Sequence, residues 1–272
     1  MSVVICQLAG QWADHWPALD RGLQYGDGLF ETIRLNSRSE MPLRELHFER
    51  LHEGLQRLLF PSEILNRIAV SWSELEKPLA CTGVKLLVSR GLSARGYAIP
   101  AHGDVNLQWQ FFQAPAWRWS TAPAGLITGI NAIRLGHQPL LAGLKHLNRL
   151  EQVLARQAFA PGWDECLMLD QDGLLVEGCM SNLYWMSDGE IFTPLLSRAG
   201  VNGVMRRWLA QRVTLREVAV GPEVLAGADL VFMSNALNGF VPVAVLDGQT
   251  LPRMAAAVAR LQALQTELES CF

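Results

Sequence analysis

Lysine is scarce in this sequence. Among 272 residues, of which 23 are lysine or arginine, only Lys77, Lys85 and Lys145 are lysines. Lysine ordinarily lies on the solvated surface, yet Lys145 stands in the apolar stretch LLAGLKHL. A surface lysine that extends its ammonium into water is one explanation. The alternative is an amine whose surroundings lower its pKa, so that it can act as a nucleophile.

Other absences exclude whole classes of protein. The five cysteines are scattered and form no CxxC pair, which argues against a disulfide framework and favours a reduced, cytoplasmic protein. The net charge is −3 and basic residues do not cluster, so we expect no nucleic-acid partner. No apolar run approaches about 18 residues and no basic segment opens the chain, so we expect neither a membrane span nor a signal peptide.

Several familiar ligand-binding and catalytic motifs are missing too. The sequence has no GxxxxGK[ST], no GxGxxG that opens a helix, no GxSxG and no HExxH. His47 and His52 are five residues apart, a spacing that does not present both to one metal ion. We therefore expect no metal site.

The first 112 residues combine strand and helix patterns. LFETIRL, TGVKLLVSRG and VNLQWQFFQ have the composition of strands. LRELHFERLHEGLQRLLF places leucines near one helical face and ends before Pro61, and PSEILNRIAVSWSELEK predicts a second helix. We predict an N-terminal α/β domain over residues 1–112.

A proline- and tryptophan-bearing stretch, residues 113–121, interrupts these patterns and is the predicted linker. Beyond it, short strands turn at QDG and SDGE, and helical patterns follow at VMRRWLAQRV and LPRMAAAVARLQALQTELES. We predict a C-terminal α/β domain over residues 122–272 that carries Lys145. The predicted fold class is α/β (α+β), with two α/β domains around a cleft.

Two residues suit an aldehyde cofactor such as pyridoxal phosphate. That cofactor needs an amine for its aldehyde, a charged partner for its pyridine nitrogen and a cradle for its phosphate. Lys145 is the candidate amine. Glu177 follows the apolar strand LLV at a turn and is the candidate partner of the nitrogen. A solvated turn carboxylate explains Glu177 as well.

A phosphate cradle has candidates in three segments. Phosphates bind to backbone N–H groups at a helix start and to guanidinium groups. The candidate ligands lie in HFERL, AGVNGVMRRW and SNALNG, and they are Arg50, Val204, Met205, Asn235 and Ala236. Helix caps and a surface arginine are the alternatives, so spacing alone leaves the cofactor open.

Six blocks of the sequence, taken together and in order, resemble the fold-type IV pyridoxal-phosphate enzymes. These blocks are YGDGLFETIR, HFERL, LKHLNRLE, VEGCMSNLYW, GVNGVMRR and SNAL. The family contains branched-chain aminotransferases, D-amino-acid aminotransferases and 4-amino-4-deoxychorismate lyases. The block around Lys145 and the segment SRGLSARGY are most similar to the lyase branch. The resemblance covers about residues 20–245 and implies the D-amino-acid aminotransferase-like fold, an active site between the domains and a homodimer.

The resemblance implies a role for each matching residue. Lys145 is expected to form the Schiff base with pyridoxal 5'-phosphate (PLP) and to carry protons. Glu177 is expected to hold the pyridine nitrogen, and Arg149 to lie near the 3-hydroxyl group of the ring. The residues expected around the phosphate are Arg50, Val204, Met205, Asn235 and Ala236.

Three further residues are candidates for catalysis and substrate binding. Thr32, directly after FE, matches a catalytic threonine of the lyases, although a β-branched residue in a strand has a structural explanation as well. Arg95 and Tyr97, in the segment ARGY, are candidate ligands of the substrate carboxylates. An exposed loop arginine is the alternative for Arg95.

The activity implied by the resemblance is the conversion of 4-amino-4-deoxychorismate to 4-aminobenzoate and pyruvate, a step of folate biosynthesis. The nearest alternative is an aminotransferase of D-amino acids or branched-chain amino acids, which would share Lys145, Glu177 and Arg50. A third hypothesis is a non-catalytic protein that binds a small molecule on the same fold. Assays for pyruvate and for the aminated cofactor distinguish the three.

Overall fold

The structure is a computed structural model that describes residues 3–78, 81–93, 96–100 and 104–272. The chain divides into two compact units, each built on its own β-sheet. The first unit comprises Met1–Ala114, Leu144–Asn148 and Phe272, and the second comprises Pro115–Gly143 and Arg149–Cys271. Two α/β units confirm the predicted fold class.

An antiparallel five-stranded sheet is the framework of the first unit. Its strands are β1 (Val3–Leu8), β2 (Gln11–Ala13), β3 (Gly28–Arg34), β4 (Gly83–Ser89) and β5 (Asn106–Phe112). Their order is β2-β1-β5-β4-β3, so β3 lies at an edge. Val84, Leu86 and Val88 of β4 are buried at every second position, the period that places side chains on one face of a sheet.

Helices cover the buried face of this sheet. They are α2 (Arg44–Arg57) and α3 (Ile64–Glu74), and a short helix, α1 (Arg21–Tyr25), precedes β3 in the chain. The two predicted helices are thus confirmed as α2 and α3, with ends shifted by a few residues. On α3, Ile64, Ile68 and Trp72 recur every fourth residue and are buried, and the Trp72 ring centroid lies 5.3 Å from that of Trp109. The core of the first unit is this helix–sheet interface.

A nine-stranded mixed sheet is the framework of the second unit. Its strands are β6 (Leu126–Leu135), β7 (Glu165–Asp170), β8 (Leu175–Gly178), β9 (Asn182–Ser187), β10 (Glu190–Pro194), β11 (Leu215–Val218), β12 (Leu230–Asn235), β13 (Gly239–Leu246) and β14 (Gln249–Thr250). The order is β11-β10-β9-β12-β13-β6-β7-β8, with β14 beside β13. Every residue of β7 is buried, which indicates that both faces of this strand are covered.

The second unit also contains four α-helices and a 3-10 helix. These are α4 (Arg118–Thr121), α5 (Leu150–Gln157), α6 (Val204–Ala210), the 3-10 helix Pro222–Gly227 and α7 (Ala255–Glu269). Trp208 of α6 packs against Phe240 of β13, with ring centroids 5.7 Å apart. Gln265 of α7 is buried and accepts the backbone N–H of Phe240 at 2.8 Å. Within the described residues, no helix has both the length and the apolar character needed to cross a membrane.

The segment that carries Lys145 belongs to the first unit, whereas the sequence analysis placed this lysine in a C-terminal domain. The reason is backbone pairing with the edge strand β3. The Lys145 carbonyl accepts the N–H of Phe30 at 3.0 Å, and Leu147 N–H donates to the Gly28 carbonyl at 3.0 Å. The division after Ala114 falls inside the predicted linker, which also contains α4.

The packing of α3 generates a stability prediction. Ile68→Ala should lower the free energy of unfolding by about 2–5 kcal/mol, because Ile68 is 0% exposed and the substitution leaves a cavity. Val70→Ala, on the exposed side of the same helix, is the matched control and should cost less than about 0.5 kcal/mol. Chemical denaturation measures both. Equal losses in the two variants would contradict the packing described here.

Candidate active site

Lys145 lies beside strand β3. Its side chain is half-buried, and the Nζ atom stands 4.3 Å from the centroid of the Phe30 ring. An ammonium over an aromatic face is attracted by the negative charge of that face. Lys145 is therefore held against β3 and is not a solvent-extended surface lysine.

Thr32 shares a face of β3 with Phe30. Side chains two residues apart in a strand point to the same side, and both of these are half-buried. Glu31 and Ile33 are buried on the opposite side. Thr32 is thus on the same face of the sheet as the ring that contacts the Lys145 ammonium.

Glu31, His47 and Arg50 form a buried group that we term the Glu31 cluster. All three side chains are at most 5% exposed. His47 Nδ1 lies 2.7 Å from Glu31 Oε2, and Arg50 Nε donates to Glu31 Oε1 at 2.8 Å. Arg50 Nη2 donates to Oε2, so the pairing is bidentate. Two-point contact of this kind fixes the orientation of a guanidinium.

The charges of the Glu31 cluster shift its pKa values. Burial raises the pKa of the Glu31 carboxyl, but the Arg50 charge and the His47 contact outweigh burial and lower it from 4.5 to about 2. Burial also lowers the pKa of His47 below its ordinary value, against the opposing effect of Glu31. The positive charge of Lys145 lowers the pKa of His47 further. Glu31 is therefore ionised at neutral pH, and its charge is balanced by Arg50.

Arg50, a predicted phosphate ligand, is thus anchored by Glu31. A guanidinium carries five N–H donors, more than the two contacts with Glu31 use. The sequence analysis considered His47 only as a metal ligand and did not single out Glu31. The available signal was the carboxylate within the strand pattern LFETIRL, since a charged residue in a buried strand requires a partner.

Glu177, the predicted partner of the cofactor nitrogen, is buried in strand β8 of the second unit. Its Oε2 accepts the backbone N–H of Val201 at 2.8 Å. Arg149 stands at the start of α5. Burial lowers the pKa of Arg149, and the charges of Glu177 and Glu151 oppose that shift. Glu177 and Arg149, both predicted to bind the cofactor, are therefore close enough to interact.

The turn before α6 is tied to the first residue of strand β9. Asn182 Oδ1 accepts the N–H of Gly203 at 3.1 Å, and its Nδ2 donates to the Val201 carbonyl at 2.7 Å. A Cβ atom on residue 203 would lie 2.0 Å from Asn182 Oδ1, so this approach requires glycine. Val204 and Met205, the predicted phosphate ligands, open α6 directly after this turn and are buried.

Asn235 and Ala236 lie where strand β12 ends in a turn. Asn235 Oδ1 accepts the N–H groups of Leu237 at 3.0 Å and Asn238 at 2.9 Å, which shapes that turn. Asn235 Nδ2 donates to Ser181 Oγ at 3.3 Å. Ser181 precedes Asn182, so one short segment contacts both the Asn235 turn and the turn before α6.

The candidate substrate ligands are only partly described. Arg95 lies outside the described residues, and Tyr97 is 84% exposed, with its ring edge-on to Tyr25 at 5.3 Å. The sequence analysis missed Arg21, which is 3% exposed. Its guanidinium donates to the backbone carbonyls of Gly96, Tyr97 and Ala98 at 3.1 to 3.2 Å. Arg21 therefore fixes the backbone around Tyr97.

One group of side chains is arranged as the ligands of a metal ion could be. Among the residues that the structure describes, His137, Asp170 and Asp172 bring ligand-type atoms within 4.8 Å of one another. Asp170 Oδ1 already accepts the N–H groups of Asp172 and Leu174, and Arg198 donates to Asp172 at 2.6 Å. These contacts satisfy the carboxylates without a cation, and the expected absence of a metal stays a prediction.

The Glu31 cluster generates a prediction for acid stability. A carboxyl whose pKa is lowered by folding stabilises the protein above its unfolded pKa, and this stabilisation is lost as the pH falls towards the folded pKa. Wild type should therefore lose roughly 3 kcal/mol of unfolding free energy between about pH 5 and pH 2 that Glu31→Gln does not lose. Denaturant titrations across this pH range measure the difference.

The control for this experiment is Glu49→Gln, which removes an exposed carboxylate from the same helix, α2. This variant should keep the wild-type dependence of stability on pH. A Glu31→Gln variant that also kept the wild-type dependence would show that the ion pair does not set the pKa of Glu31.

Comparison with known proteins indicates the family of this chain. The family model for amino-transferase class IV matches residues 28–246. Aminodeoxychorismate lyase of Vibrio harveyi is 34% identical over 238 residues, covering 84% of this chain and 86% of the relative. The crystal structure of 4-amino-4-deoxychorismate lyase from Pseudomonas aeruginosa superimposes with a TM-score of 0.85 at 38% identity and covers 98% of both chains.

A more distant structure shares the fold alone. Branched-chain amino acid aminotransferase of Escherichia coli superimposes with a TM-score of 0.81 at 23% identity, covering 95% of this chain and 92% of the other. The family model spans the lysine block, the Glu177 strand and the turn before α6 together. The chain therefore belongs to the class IV aminotransferase family.

Proposed function

We propose that this protein is a 4-amino-4-deoxychorismate lyase. It uses PLP to convert 4-amino-4-deoxychorismate to 4-aminobenzoate and pyruvate. The observation that carries this proposal is the 38% identity to the Pseudomonas aeruginosa lyase over 98% of both chains. The lysine block LAGLKHLNRLEQ, which resembles the lyase branch, supports the same assignment.

The side chains of the second unit fit PLP. Glu177 is a buried carboxylate, and a protonated pyridine nitrogen is a suitable partner for such a group. Gly203, the residue before α6, provides no side-chain cap for the helix. The N–H groups of the first turn of α6 therefore suit a phosphate. The shape of this turn depends on glycine at residue 203, as the contact with Asn182 requires.

Each part of PLP has its own proposed ligands. Lys145 supplies the amine for the aldehyde, Glu177 binds the pyridine nitrogen, and Arg149 lies near the 3-hydroxyl group. Burial lowers the pKa of Arg149, and a phenolate oxygen beside the guanidinium would oppose that shift and favour its charged form. The proposed phosphate ligands are Arg50, Val204, Met205, Asn235 and Ala236.

The roles of the protein side chains follow from the reaction. When bound, PLP supplies a protonated ring that draws electrons from the substrate carbon bearing the amine. The Glu177 carboxylate stabilises the proton on the ring nitrogen, because opposite charges at short range favour the charged form. Lys145 Nζ accepts the proton from C4 of the substrate ring. Cleavage of the neighbouring C–O bond then releases enolpyruvate and leaves an aromatic ring.

Thr32 completes the reaction. Its hydroxyl relays to the departing enolpyruvyl group the proton that Lys145 accepted, so the group becomes pyruvate and both side chains regain their starting protonation. The proposal is supported by the position of Thr32 on the face of β3 that carries Phe30, against which the Lys145 ammonium lies. Arg95 and Tyr97 are the proposed ligands of the substrate carboxylates, and Arg21 fixes the backbone at Tyr97.

We further propose that the protein is a cytoplasmic homodimer without nucleic-acid or membrane partners. Helix α5 exposes Leu150, Val153 and Leu154. An apolar face of this kind favours coverage by a second copy of the chain. The free state of all five cysteines supports a reducing compartment.

The test of the proposed function is a product assay. The purified holoenzyme is incubated with 4-amino-4-deoxychorismate, and pyruvate, 4-aminobenzoate and aminated cofactor are measured. Pyruvate and 4-aminobenzoate in equal amounts support the lyase. Aminated cofactor without pyruvate would identify an aminotransferase instead. A colourless protein that does not bind PLP would identify a non-catalytic binding protein.

Lys145→Ala should abolish turnover and the visible absorbance of the bound cofactor, because no other group is proposed to bond the aldehyde or to accept the C4 proton. The control is Lys77→Ala, since Lys77 lies over the Trp72 ring, 4.7 Å from its centroid, in the core of the first unit. That variant should keep both activity and absorbance. A Lys145→Ala enzyme with wild-type turnover would rule out the mechanism.

Thr32→Ala should slow pyruvate release by about a hundredfold, which is the lower end of the rate loss expected when a general acid is removed. The dissociation constant of PLP should stay nearly unchanged. Thr32→Ser keeps the hydroxyl and should restore most of the rate. Steady-state kinetics and cofactor titration measure the two effects. An unchanged rate in Thr32→Ala would leave Thr32 with only a structural role in strand β3.

A further inference from the structure

Glu165 is a buried carboxylate to which the mechanism above gives no role. It is the first residue of strand β7 and is 3% exposed. Burial raises its pKa above the ordinary value, and four hydrogen bonds oppose that shift. Its signal in the sequence is a charged residue at the head of the apolar strand ECLMLD. A carboxylate buried in a strand is retained only where hydrogen-bond donors replace water.

Most of the donors to Glu165 come from one short loop, residues 179–181, which we call the 179–181 loop. Glu165 Oε1 accepts the N–H groups of Cys166 and Cys179, each at 3.0 Å. Oε2 accepts the N–H of Met180 at 3.1 Å and the hydroxyl of Ser181 at 2.9 Å. All three residues of the loop are therefore bound by one side chain.

The 179–181 loop joins the two ends of the proposed cofactor site within the second unit. Gly178 and Glu177 precede the loop directly, and Asn182, which shapes the turn before α6, follows it. The Ser181 hydroxyl that donates to Glu165 also accepts from Asn235 Nδ2 at 3.3 Å. The strand of the nitrogen ligand and both phosphate turns are thus connected through this loop.

Packing fixes Cys179, which is buried in a core cluster, but not the rest of the 179–181 loop. Met180 and Ser181 line a cavity of about 360 Å³, and Met180 is 58% exposed. A loop beside a cavity lacks the close contacts that hold core residues in one conformation. The hydrogen bonds to Glu165, together with the bond from the Gly178 N–H to the Ser181 carbonyl at 2.6 Å, hold Met180 and Ser181 in place.

We propose that Glu165 is a positioning residue for the cofactor site, acting through the 179–181 loop on Glu177, Asn182 and Asn235. This inference rests on the proposed PLP-dependent function. The role assigned to Glu165 is carried by its hydrogen bonds to this loop. Its carboxylate holds the loop so that the ligand of the ring nitrogen and the phosphate turns keep one arrangement.

The experiment compares Glu165→Gln with Asp170→Asn in the full-length protein. Glutamine keeps the shape of the side chain but replaces one acceptor oxygen by an NH2 group, so donors of the 179–181 loop lose an acceptor. Asp170 ends the same strand, is buried and also accepts two backbone N–H groups, so its variant is the matched control. Two readouts are taken, hydrogen exchange of the cofactor-free protein and titration with PLP.

Glu165→Gln should speed the exchange of the Cys179 and Met180 amides and weaken PLP binding by about tenfold, since a lost buried acceptor leaves a donor unsatisfied. It should also change the pH dependence of the visible spectrum of the bound cofactor, because Glu177 is no longer held in place. Asp170→Asn should leave the amides of the 179–181 loop, the PLP affinity and the spectrum near wild type. If Glu165→Gln does not fold, Ser181→Ala is the second variant. It removes one donor to Glu165 and the partner of Asn235, and it should weaken PLP binding relative to Asp170→Asn.

The experiment distinguishes failure of the positioning role of Glu165 from failure of the proposed function. If wild type binds PLP and the Glu165→Gln variant matches Asp170→Asn in affinity and spectrum, the inference is overturned and the proposed function stands. If wild type binds no PLP, the proposed function is wrong and the positioning role falls with it. The exchange of the Cys179 and Met180 amides would then report only whether Glu165 anchors the loop.

Discussion

The hydrogen bond from the Val201 backbone to the Glu177 carboxylate is the constraint on which the candidate site of the second unit depends. It joins strand β8 to the turn before α6, and Asn182 closes the same turn from strand β9. A carboxylate buried in this way needs hydrogen-bond donors to offset the cost of its desolvation. The partner proposed for the ring nitrogen and the N–H groups proposed for the phosphate are thereby fixed relative to each other.

Two buried carboxylates, Glu31 in the first unit and Glu165 in the second, organise their surroundings by different means. Glu31 is paired with the Arg50 guanidinium, and its pKa falls to about 2. Glu165 is held by backbone N–H groups and one hydroxyl, and burial raises its pKa. An ion pair fixes a charge and its partner, whereas backbone donors fix the conformation of a loop. The first arrangement suits the anchoring of a guanidinium, and the second suits the positioning of residues that are proposed to bind the cofactor.

The sequence predicted local elements well and distant contacts poorly. The strands around LFETIRL and the helices α2 and α3 followed from periodicity, because each pattern lies within a few residues of the chain. Lys145 and Glu177 could be singled out as candidates because they lie in the blocks LKHLNRLE and VEGCMSNLYW, which carry the family resemblance. The pairing of residues 144–148 with β3 was not foreseen, because the two segments are more than a hundred residues apart. Glu165 and Arg21 were missed for the same reason, since the chain must fold before their partners come within reach.

In the proposed site, a buried acidic side chain keeps the cofactor ring protonated while an amine on another segment holds its aldehyde. NMR of the holoenzyme, with PLP isotope-labelled at the pyridine nitrogen, tests this most directly. We expect the chemical shift of a protonated pyridine nitrogen at neutral pH in the wild-type holoenzyme. In Glu177→Gln we expect the chemical shift of an unprotonated nitrogen. An unprotonated nitrogen in the wild-type holoenzyme would contradict the account.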